Sequence, residues 1–353
     1  MKLDELLKQT VENDASDLHL TSGIQPVIRK DGKLVRLGDD IISPSDTDAF
    51  VHEILDEERY REFEKSGDVD LSFSRAGIGR FRVNVFKQRG SVAIAIRQVI
   101  TSVPKLGDLG LPGIVGDLIR RTKGLVLVTG PTGSGKSTTL SAMIDQINEE
   151  RECHVLTLED PIEFLHKHKK SLINQREIGH DSTSYAAALR AAMREDPDVI
   201  FVGEMRDMET ISTAVTAAET GHLVLSTLHT VGAVNTIDRI IDVFPPHQQQ
   251  QIRIQISMVL QGVVSQQLLS RIDKKGRVAA IEIMVATPAI RNLIRESKTH
   301  QLTAAIQTGA KYGMQAMDNS LVSLYRKGAI SYDDAVAHSM DPENITRFLG
   351  STI

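Results

Sequence analysis

The chain has 353 residues, which is enough for two domains of about 150 residues each. Hydrophobic residues make up 41% and charged residues 25%, as in ordinary globular proteins, and the net charge of −5 argues weakly against a dedicated nucleic-acid binder. Cys153 is the one cysteine, which excludes a disulfide framework within the chain and a zinc site built from several cysteines.

The N-terminal stretch MKLDELLKQT is amphipathic and carries charge where a signal peptide needs an apolar core. No apolar run approaches the roughly 20 residues that are needed to span a bilayer. We therefore expect a cytoplasmic protein that does not insert into the membrane.

Residues 1–100 have the pattern of an α+β domain. A short strand covers ASDLHLTS, a hairpin turns at Asp31-Gly32, and a helix is expected over DTDAFVHEILDEERYREFEKSG, ending at Gly67. A meander of three strands follows, in which Phe81, Val83 and Val85 share one face while Arg80, Arg82 and Asn84 share the other.

Residues 101–115 hold two prolines and three glycines and are predicted to be a linker. From residue 116 to residue 353, apolar strands such as GLVLVTG, VIFVG and HLVLST alternate with helices. This alternation predicts an α/β domain whose parallel sheet is covered on both faces.

The sequence GPTGSGKS at 130–137 is a phosphate-binding loop between a predicted strand and a predicted helix. Its glycines allow a tight turn that points N–H groups at phosphate oxygens, and the start of the helix adds a positive dipole end. Lys136 is expected to reach the β- and γ-phosphates of ATP, and Ser137 to ligate Mg²⁺. The predicted nucleotide-binding set is Gly130, Pro131, Thr132, Gly133, Ser134, Gly135, Lys136, Ser137 and Thr138.

Carboxylates follow two of the later strands. Glu159, Asp160 and Glu163 crowd around a proline in TLEDPIEF, where they suit Mg²⁺, its waters, or a water to be deprotonated; a solvated acidic turn is the alternative. Glu204 follows VIFVG, where such loops normally have a partner aspartate. It could approach the metal through water or polarise the attacking water, and the alternative is an ion pair with Arg206.

Histidines and arginines complete the candidate set. His222 and His229 lie at opposite ends of the strand LVLST, and His229, at the carboxyl end, is better placed near nucleotide. In STSYAAALRAAMRED a helix is expected with Tyr185, Leu189 and Met193 inward. Arg190 and Arg194, four residues apart, then share another face and could stabilise phosphate charge, unless they are ordinary solvated side chains.

Two further helices are expected near the C-terminal end. The stretch PPHQQQQ is predicted to open a helix that carries Ile252, Ile256, Leu260 and Val263. In AIRNLIRE, residues 289–296, an apolar stripe of Ile290, Leu293 and Ile294 is expected to face inward, with Arg291, Arg295 and Glu296 outside.

Four stretches, GPTGSGKSTTL, TLEDPIEF, VIFVGEMRD and TGHLVLSTLHT, resemble in order and spacing the motifs of the secretion-ATPase family, namely Walker A, Asp box, Walker B and His box. The stretches SDLHL and RFRVN resemble its N-terminal domain. The resemblance implies a RecA-like P-loop ATPase core behind a smaller, PAS-like N-terminal domain. AIRNLIRE resembles a motif of the members that retract type IV pili, and the extra N-terminal domain and four-cysteine module of assembly-side members are not expected here.

The resemblance also implies roles and partners. Glu204 becomes the Walker B glutamate, favoured for metal and water alignment, and Glu163 the Asp-box glutamate, favoured for accepting the proton. Arg82 and Arg97 become further candidates for contacting nucleotide. A homo-hexameric ring is implied, with ATP and Mg²⁺ between domains and subunits, acting on an inner-membrane pilus platform protein and indirectly on pilin.

Three other functions remain open at this point. A nucleic-acid motor with a RecA-like core is disfavoured by the acidic charge and the lack of basic or aromatic tracts. An export ATPase of the same superfamily would push its substrate outward. A nucleotide-binding regulator would bind ATP without using it for work.

Overall fold

Two units make up the fold, as a computed structural model of the chain describes it for residues 1–30, 32–99 and 102–350. The first unit consists of Met1–Ser102 with Glu163–Leu165, and the second of Val103–Ile162 with His166–Ile353. Asp31 of the predicted hairpin turn, and Ile100 and Thr101 at the predicted start of the linker, lie outside the described residues.

The first unit is an α+β fold around a six-stranded antiparallel sheet with the order β3-β2-β1-β6-β5-β4. Its elements are α1 (Leu3–Glu12), β1 (Asp17–Thr21), β2 (Val27–Lys30), β3 (Lys33–Arg36), α2 (Pro44–Ile54), α3 (Glu57–Ser66), β4 (Asp68–Arg75), β5 (Gly79–Gln88) and β6 (Ser91–Gln98). Phe81, Val83 and Val85 are fully buried on one face of the sheet, while Arg82 is exposed on the other, as their alternation predicts.

The single helix expected over residues 46–67 is two helices. Leu55 is extended and ends α2, and the Asp56 carboxylate then accepts a hydrogen bond from the Arg59 N–H at 2.9 Å, which caps the start of α3. Gly67 ends α3 in the left-handed conformation, with φ of 86°, which is the stop that the sequence predicts.

The second unit is built on a seven-stranded sheet with the order β13-β12-β7-β11-β10-β8-β9. All neighbouring strands are parallel except β12 and β13. Up to β11 its elements are α4 (Ile114–Ile119), β7 (Gly124–Thr129), α5 (Lys136–Glu150), β8 (His154–Glu159), β9 (Leu172–Glu177), α6 (Tyr185–Ala192), β10 (Val199–Val202), α7 (Met208–Glu219) and β11 (Leu223–Leu228). Every residue of β7, β10 and β11 is buried, because helices cover both faces of the sheet.

The rest of the second unit adds an antiparallel edge and a helical end. Its elements are α8 (Ala233–Asp242), α9 (Pro246–Val259), β12 (Leu260–Ser270), β13 (Arg277–Val285), α10 (Pro288–Arg295), α11 (Leu302–Gln307), α12 (Met317–Arg326), α13 (Tyr332–Ala337) and α14 (Pro342–Gly350). The prediction that Leu260 and Val263 belong to the helix of Ile252 is wrong. Both lie on β12, because the apolar run from Leu260 pairs with β7 on one side and β13 on the other.

Helix α10 corrects a second expectation. Ile290 and Ile294 are buried as predicted, but Arg291 is half-buried instead of outside. Its guanidinium donates to the carbonyl oxygens of Ser257 at 2.8 Å and Met258 at 2.6 Å. The last carbonyls of a helix lack intrahelical partners, so Arg291 supplies donors to the end of α9.

None of the helices in the described part of the chain is both long enough and apolar enough to cross a bilayer.

A buried carboxylate ties two helices to the antiparallel edge. Glu282 of β13 accepts a hydrogen bond from Ala233 N at 2.7 Å through Oε1, and from Met317 N at 3.4 Å through Oε2. These two N–H groups begin α8 and α12, where a negative charge is favourable. Burial nevertheless outweighs the two hydrogen bonds and raises the pKa of Glu282 above its ordinary value of 4.5.

This raised pKa predicts a pH-dependent stability difference for Glu282→Gln. A carboxyl group whose pKa is higher in the folded state than in the unfolded state adds to the free energy of unfolding. The contribution is complete below the pKa of the unfolded state and is lost as pH rises through the pKa of the folded state. Glutamine does not ionise, so the apparent Tm of the variant relative to wild type should rise as pH increases from about 4.5. Thermal denaturation across pH measures the difference, with Glu296→Gln at an exposed position as the control. A difference that stays flat or falls with pH would contradict the assignment.

Candidate active site

The carboxyl ends of the central parallel strands meet at one edge of the sheet. Val202 of β10 pairs with Leu158 of β8 on one side and with Ser226 of β11 on the other, and Leu228 of β11 pairs with Thr129 of β7. Ligands of open α/β sheets bind outside this edge. The shared register therefore brings four of the predicted motifs to the same side of the second unit.

The phosphate-binding loop follows β7 and runs into the first two residues of α5. Gly130, Gly133 and Gly135 have φ values of 145°, 78° and 87°. At Gly130 a Cβ would lie 2.1 Å from the Gln266 carbonyl oxygen, so only glycine fits against β12. The Gln266 amide donates to the Ser134 carbonyl at 2.7 Å, and its oxygen accepts from the Thr139 hydroxyl at 3.0 Å.

Gln266 was not among the residues that the sequence singles out, although it holds the loop from a neighbouring strand. It is 2% exposed. The sequence does contain a signal for this role, since the stretch VVSQQLL places a glutamine among apolar residues of a strand. A buried amide needs hydrogen-bond partners, so such a glutamine is expected to have a specific one.

Lys136 is buried at the start of α5. Its Nζ donates to the carbonyl oxygens of Gly130 at 2.8 Å and Pro131 at 2.9 Å. The Ser134 hydroxyl is buried and has no hydrogen-bond partner among the described residues. The loop thus combines an ammonium group, the N–H groups of a first helical turn and an unpaired hydroxyl, which is the donor set that a polyphosphate requires.

Glu204 lies at the end of β10 with two partners. Its Oε1 is 2.8 Å from Arg206 Nε, and its Oε2 is 3.5 Å from His229 Nε2. The ion pair that the sequence offered as the alternative for Glu204 is therefore present, beside a contact with the histidine of the next strand. The Arg206 side chain is 72% exposed, so that pair contributes little to stability and leaves Glu204 available to other ligands.

His229 links the phosphate loop to Glu204. Burial, and then the nearby Lys136 ammonium, hold the pKa of His229 below its ordinary value of 6.5, although Glu204 acts in the opposite direction. The imidazole is therefore neutral at neutral pH. His222, at the other end of β11, is tied locally instead, with its Nδ1 2.9 Å from the Ala217 carbonyl oxygen.

The acidic residues at and beyond the end of β8 differ in their exposure to solvent. Glu159 is buried, and its Oε1 accepts from the Thr157 hydroxyl at 2.7 Å and from the Gln175 amide at 3.1 Å. Asp160 is exposed at the same strand end. Glu163 is also exposed and belongs to the segment assigned to the first unit.

Three of the four predicted arginines, Arg190, Arg194 and Arg97, are held by a neighbour. Helix α6 ends at Ala192, so Arg194 lies beyond it and donates to the Arg190 carbonyl at 3.2 Å; the expectation of one helix carrying both is wrong. The Arg190 guanidinium pairs with Glu209. In the first unit, Arg97 Nε lies 2.8 Å from Asp17 Oδ1, and Arg82 is its cross-strand partner.

The donor set fits magnesium bound together with a phosphate. No group of three or more His, Cys, Asp or Glu side chains in the described part of the chain could hold a metal ion by itself. Mg²⁺ prefers oxygen ligands and usually takes one or two carboxylates along with substrate phosphates and waters. Ser137, Glu159, Asp160 and Glu204, the four predicted metal-site residues, offer such oxygens.

The sequence of this chain is similar to those of known proteins. A family profile described as "Type II/IV secretion system protein" matches residues 112–334. The chain is 48% identical to the "Type IV pilus retractation ATPase PilT" of Pseudomonas aeruginosa, over 98% of this chain and 100% of that protein. It is also 48% identical to a "Twitching motility protein" of Neisseria gonorrhoeae, over 91% of this chain and 86% of that one.

A solved structure extends the similarity to the whole fold. The "Crystal Structure of the Pilus Retraction Motor PilT and Bound ADP" superposes with a TM-score of 0.91 at 50% identity, covering 98% of this chain and 99% of that one. With a family profile that matches most of the second unit and relatives that align over nearly the full length, the chain belongs to the type II/IV secretion system protein family and is one of its ATPases.

Proposed function

We propose that this protein is a hexameric motor that hydrolyses ATP to retract type IV pili. The observation that carries the proposal is the convergence of Lys136, His229 and Glu204 at the carboxyl edge of the sheet, next to a glycine-rich loop whose ammonium and hydroxyl groups suit a polyphosphate. Similarity to a pilus retraction ATPase over nearly the whole chain supports the type of work that hydrolysis drives.

The residues of the loop have distinct tasks in this proposal. Residues 130–138 cradle the phosphates, and Lys136 exchanges its two loop carbonyls for β- and γ-phosphate oxygens. Ser137 and Glu204 would hold magnesium, directly or through water, and the ion would there neutralise phosphate charge. Glu159 and Asp160 extend this set of oxygens.

Two glutamates act on the attacking water. Glu204 aligns the water, and His229, neutral at neutral pH, holds the Glu204 carboxylate from the side of the phosphate loop. Glu163 accepts the proton of the water. Its exposure leaves room for a nucleotide and a water to approach the carboxylate.

Arginines supply the remaining positive charge. The candidates are Arg190, Arg194, Arg82 and Arg97. To reach a phosphate, Arg190, Arg194 and Arg97 would leave their present partners. An arginine that reaches the nucleotide from another domain or protomer couples hydrolysis to movement.

In this proposal the N-terminal domain comprises residues 1–100, the linker residues 101–115 and the ATPase domain residues 116–353. The subunits are arranged in a homo-hexamer.

The motor works in the cytoplasm at the inner-membrane base of the pilus. Its protein partner is the inner-membrane platform protein, and it acts on pilin indirectly through that protein. Neither nucleic acid nor membrane insertion has a part in the proposal.

Lys136→Ala should lower phosphate release by at least about 100-fold, because it removes the ammonium group that meets the transferred phosphoryl group. Phosphate release from ATP with Mg²⁺ measures the effect on purified protein, with exposed Lys123→Ala as the matched control. Added DNA should leave the wild-type rate unchanged. Equal rates for wild type and Lys136→Ala would remove the loop from the chemistry.

Glu204→Gln and Glu163→Gln should retain ATP binding and lose turnover, each by about 100-fold or more, because an amide cannot serve as a base or charged ligand. A fluorescent ATP analogue measures binding, and phosphate release measures turnover. Glu152→Gln, exposed on the same unit, is the control. Normal hydrolysis by Glu163→Gln would show that another group accepts the proton.

Deletion of the gene should leave surface pili in excess and abolish twitching, because assembly continues without retraction. Electron microscopy and a motility assay read the two outcomes, and complementation with wild type but not Lys136→Ala should restore motility. Loss of pili would instead identify an export or assembly motor. Normal twitching in a strain without a related ATPase gene would end the retraction proposal.

A further inference from the structure

The hydroxyl of Tyr185 occupies the space where a side chain would begin at position 203. A Cβ on Gly203 would lie 2.7 Å from Tyr185 Oη and 3.2 Å from the Leu158 carbonyl oxygen. Gly203 is not among the described residues with positive φ, so its backbone conformation does not demand glycine. The close approach of the tyrosine does.

The backbone at Gly203 is held on both sides and cannot move away from this contact. Its N–H donates to the Leu158 carbonyl at 2.8 Å, and its carbonyl accepts from the Thr227 hydroxyl at 2.6 Å. Tyr185 is likewise placed by its helix, since Ser184 caps the start of α6 through the Ala187 N–H at 3.1 Å. The hydroxyl is therefore fixed next to the residue that precedes Glu204.

The tyrosine also senses the acidic residues of the site. Burial, followed by the negative charges of Glu204, Asp160 and Glu159, raises the pKa of Tyr185 far above its ordinary value, with Arg206 acting weakly against them.

We propose that Tyr185 is a positioning residue of the ATPase site, whose hydroxyl packs against Gly203 and so fixes the backbone from which Glu204 presents its carboxylate beside the phosphate loop. This inference rests on the proposed function. It also gives a reason for the Gly-Glu pair in place of the usual aspartate: the glycine makes room for the hydroxyl, and the glutamate that follows provides the charge.

The first arm of the test is Tyr185→Phe, which removes only the hydroxyl. We expect kcat for ATP hydrolysis to fall at least about tenfold, with KM, affinity for a fluorescent ATP analogue and Tm unchanged, because a positioning group acts on the transition state more than on binding. Tyr332→Phe is the matched control, since Tyr332 is also the first residue of a helix in the same unit. Wild-type kcat in Tyr185→Phe would overturn the proposal, as would a loss explained by a lower Tm.

The second arm measures the contact itself, without activity. Gly203→Ala should lower Tm because its methyl group meets the hydroxyl, and adding Tyr185→Phe should recover most of the loss, since the contacts that remain are longer, with the Leu158 carbonyl oxygen at 3.2 Å and the next tyrosine atom at 3.4 Å. The double variant should remain slow. An unchanged Tm in Gly203→Ala, or no recovery in the double variant, would refute the contact. If wild type hydrolyses no ATP, the proposed function fails, while this arm still decides whether the contact exists.

Discussion

The shared register of β7, β11, β10 and β8 is the constraint on which the other features of the site depend. Because these parallel strands end together, residues distant in sequence arrive at one edge without long loops to carry them. A shift of one residue in a strand would turn the side chains at its end to the opposite face. The full burial of β7, β10 and β11 opposes any such shift, since both faces of these strands are packed.

At that edge the Glu204 carboxylate lies between positively charged groups. The Lys136 ammonium, a neutral His229, the Glu204 carboxylate and the Arg206 guanidinium follow one another across the ends of three strands. A buried ammonium is costly unless it is hydrogen-bonded, and the two loop carbonyls meet that need for Lys136. Phosphate oxygens would offer the same lysine stronger, charged acceptors, so nucleotide could displace the carbonyls without leaving the ammonium unpaired.

Several polar contacts support these strands from outside the recognised motifs. Gln266 holds the phosphate loop from β12, Arg291 supplies donors to the end of α9, and Glu282 binds the first N–H groups of α8 and α12. Each reaches backbone groups that a helix or loop leaves without internal partners. The antiparallel edge of the sheet and the helices beyond it thus stabilise the elements that present the site.

The sequence by itself determined the fold class, the phosphate loop, the order of the acidic and histidine motifs and most strand positions, because glycine spacing and apolar alternation are local properties of a chain. Only the tertiary structure decided that Glu204 contacts Arg206 and His229 and that Arg291 turns inward. It also decided that α6 ends at Ala192 and that Leu260 belongs to a strand. Burial, hydrogen-bond geometry and perturbed pKa values depend on residues from distant segments, and no local pattern specifies which of them meet.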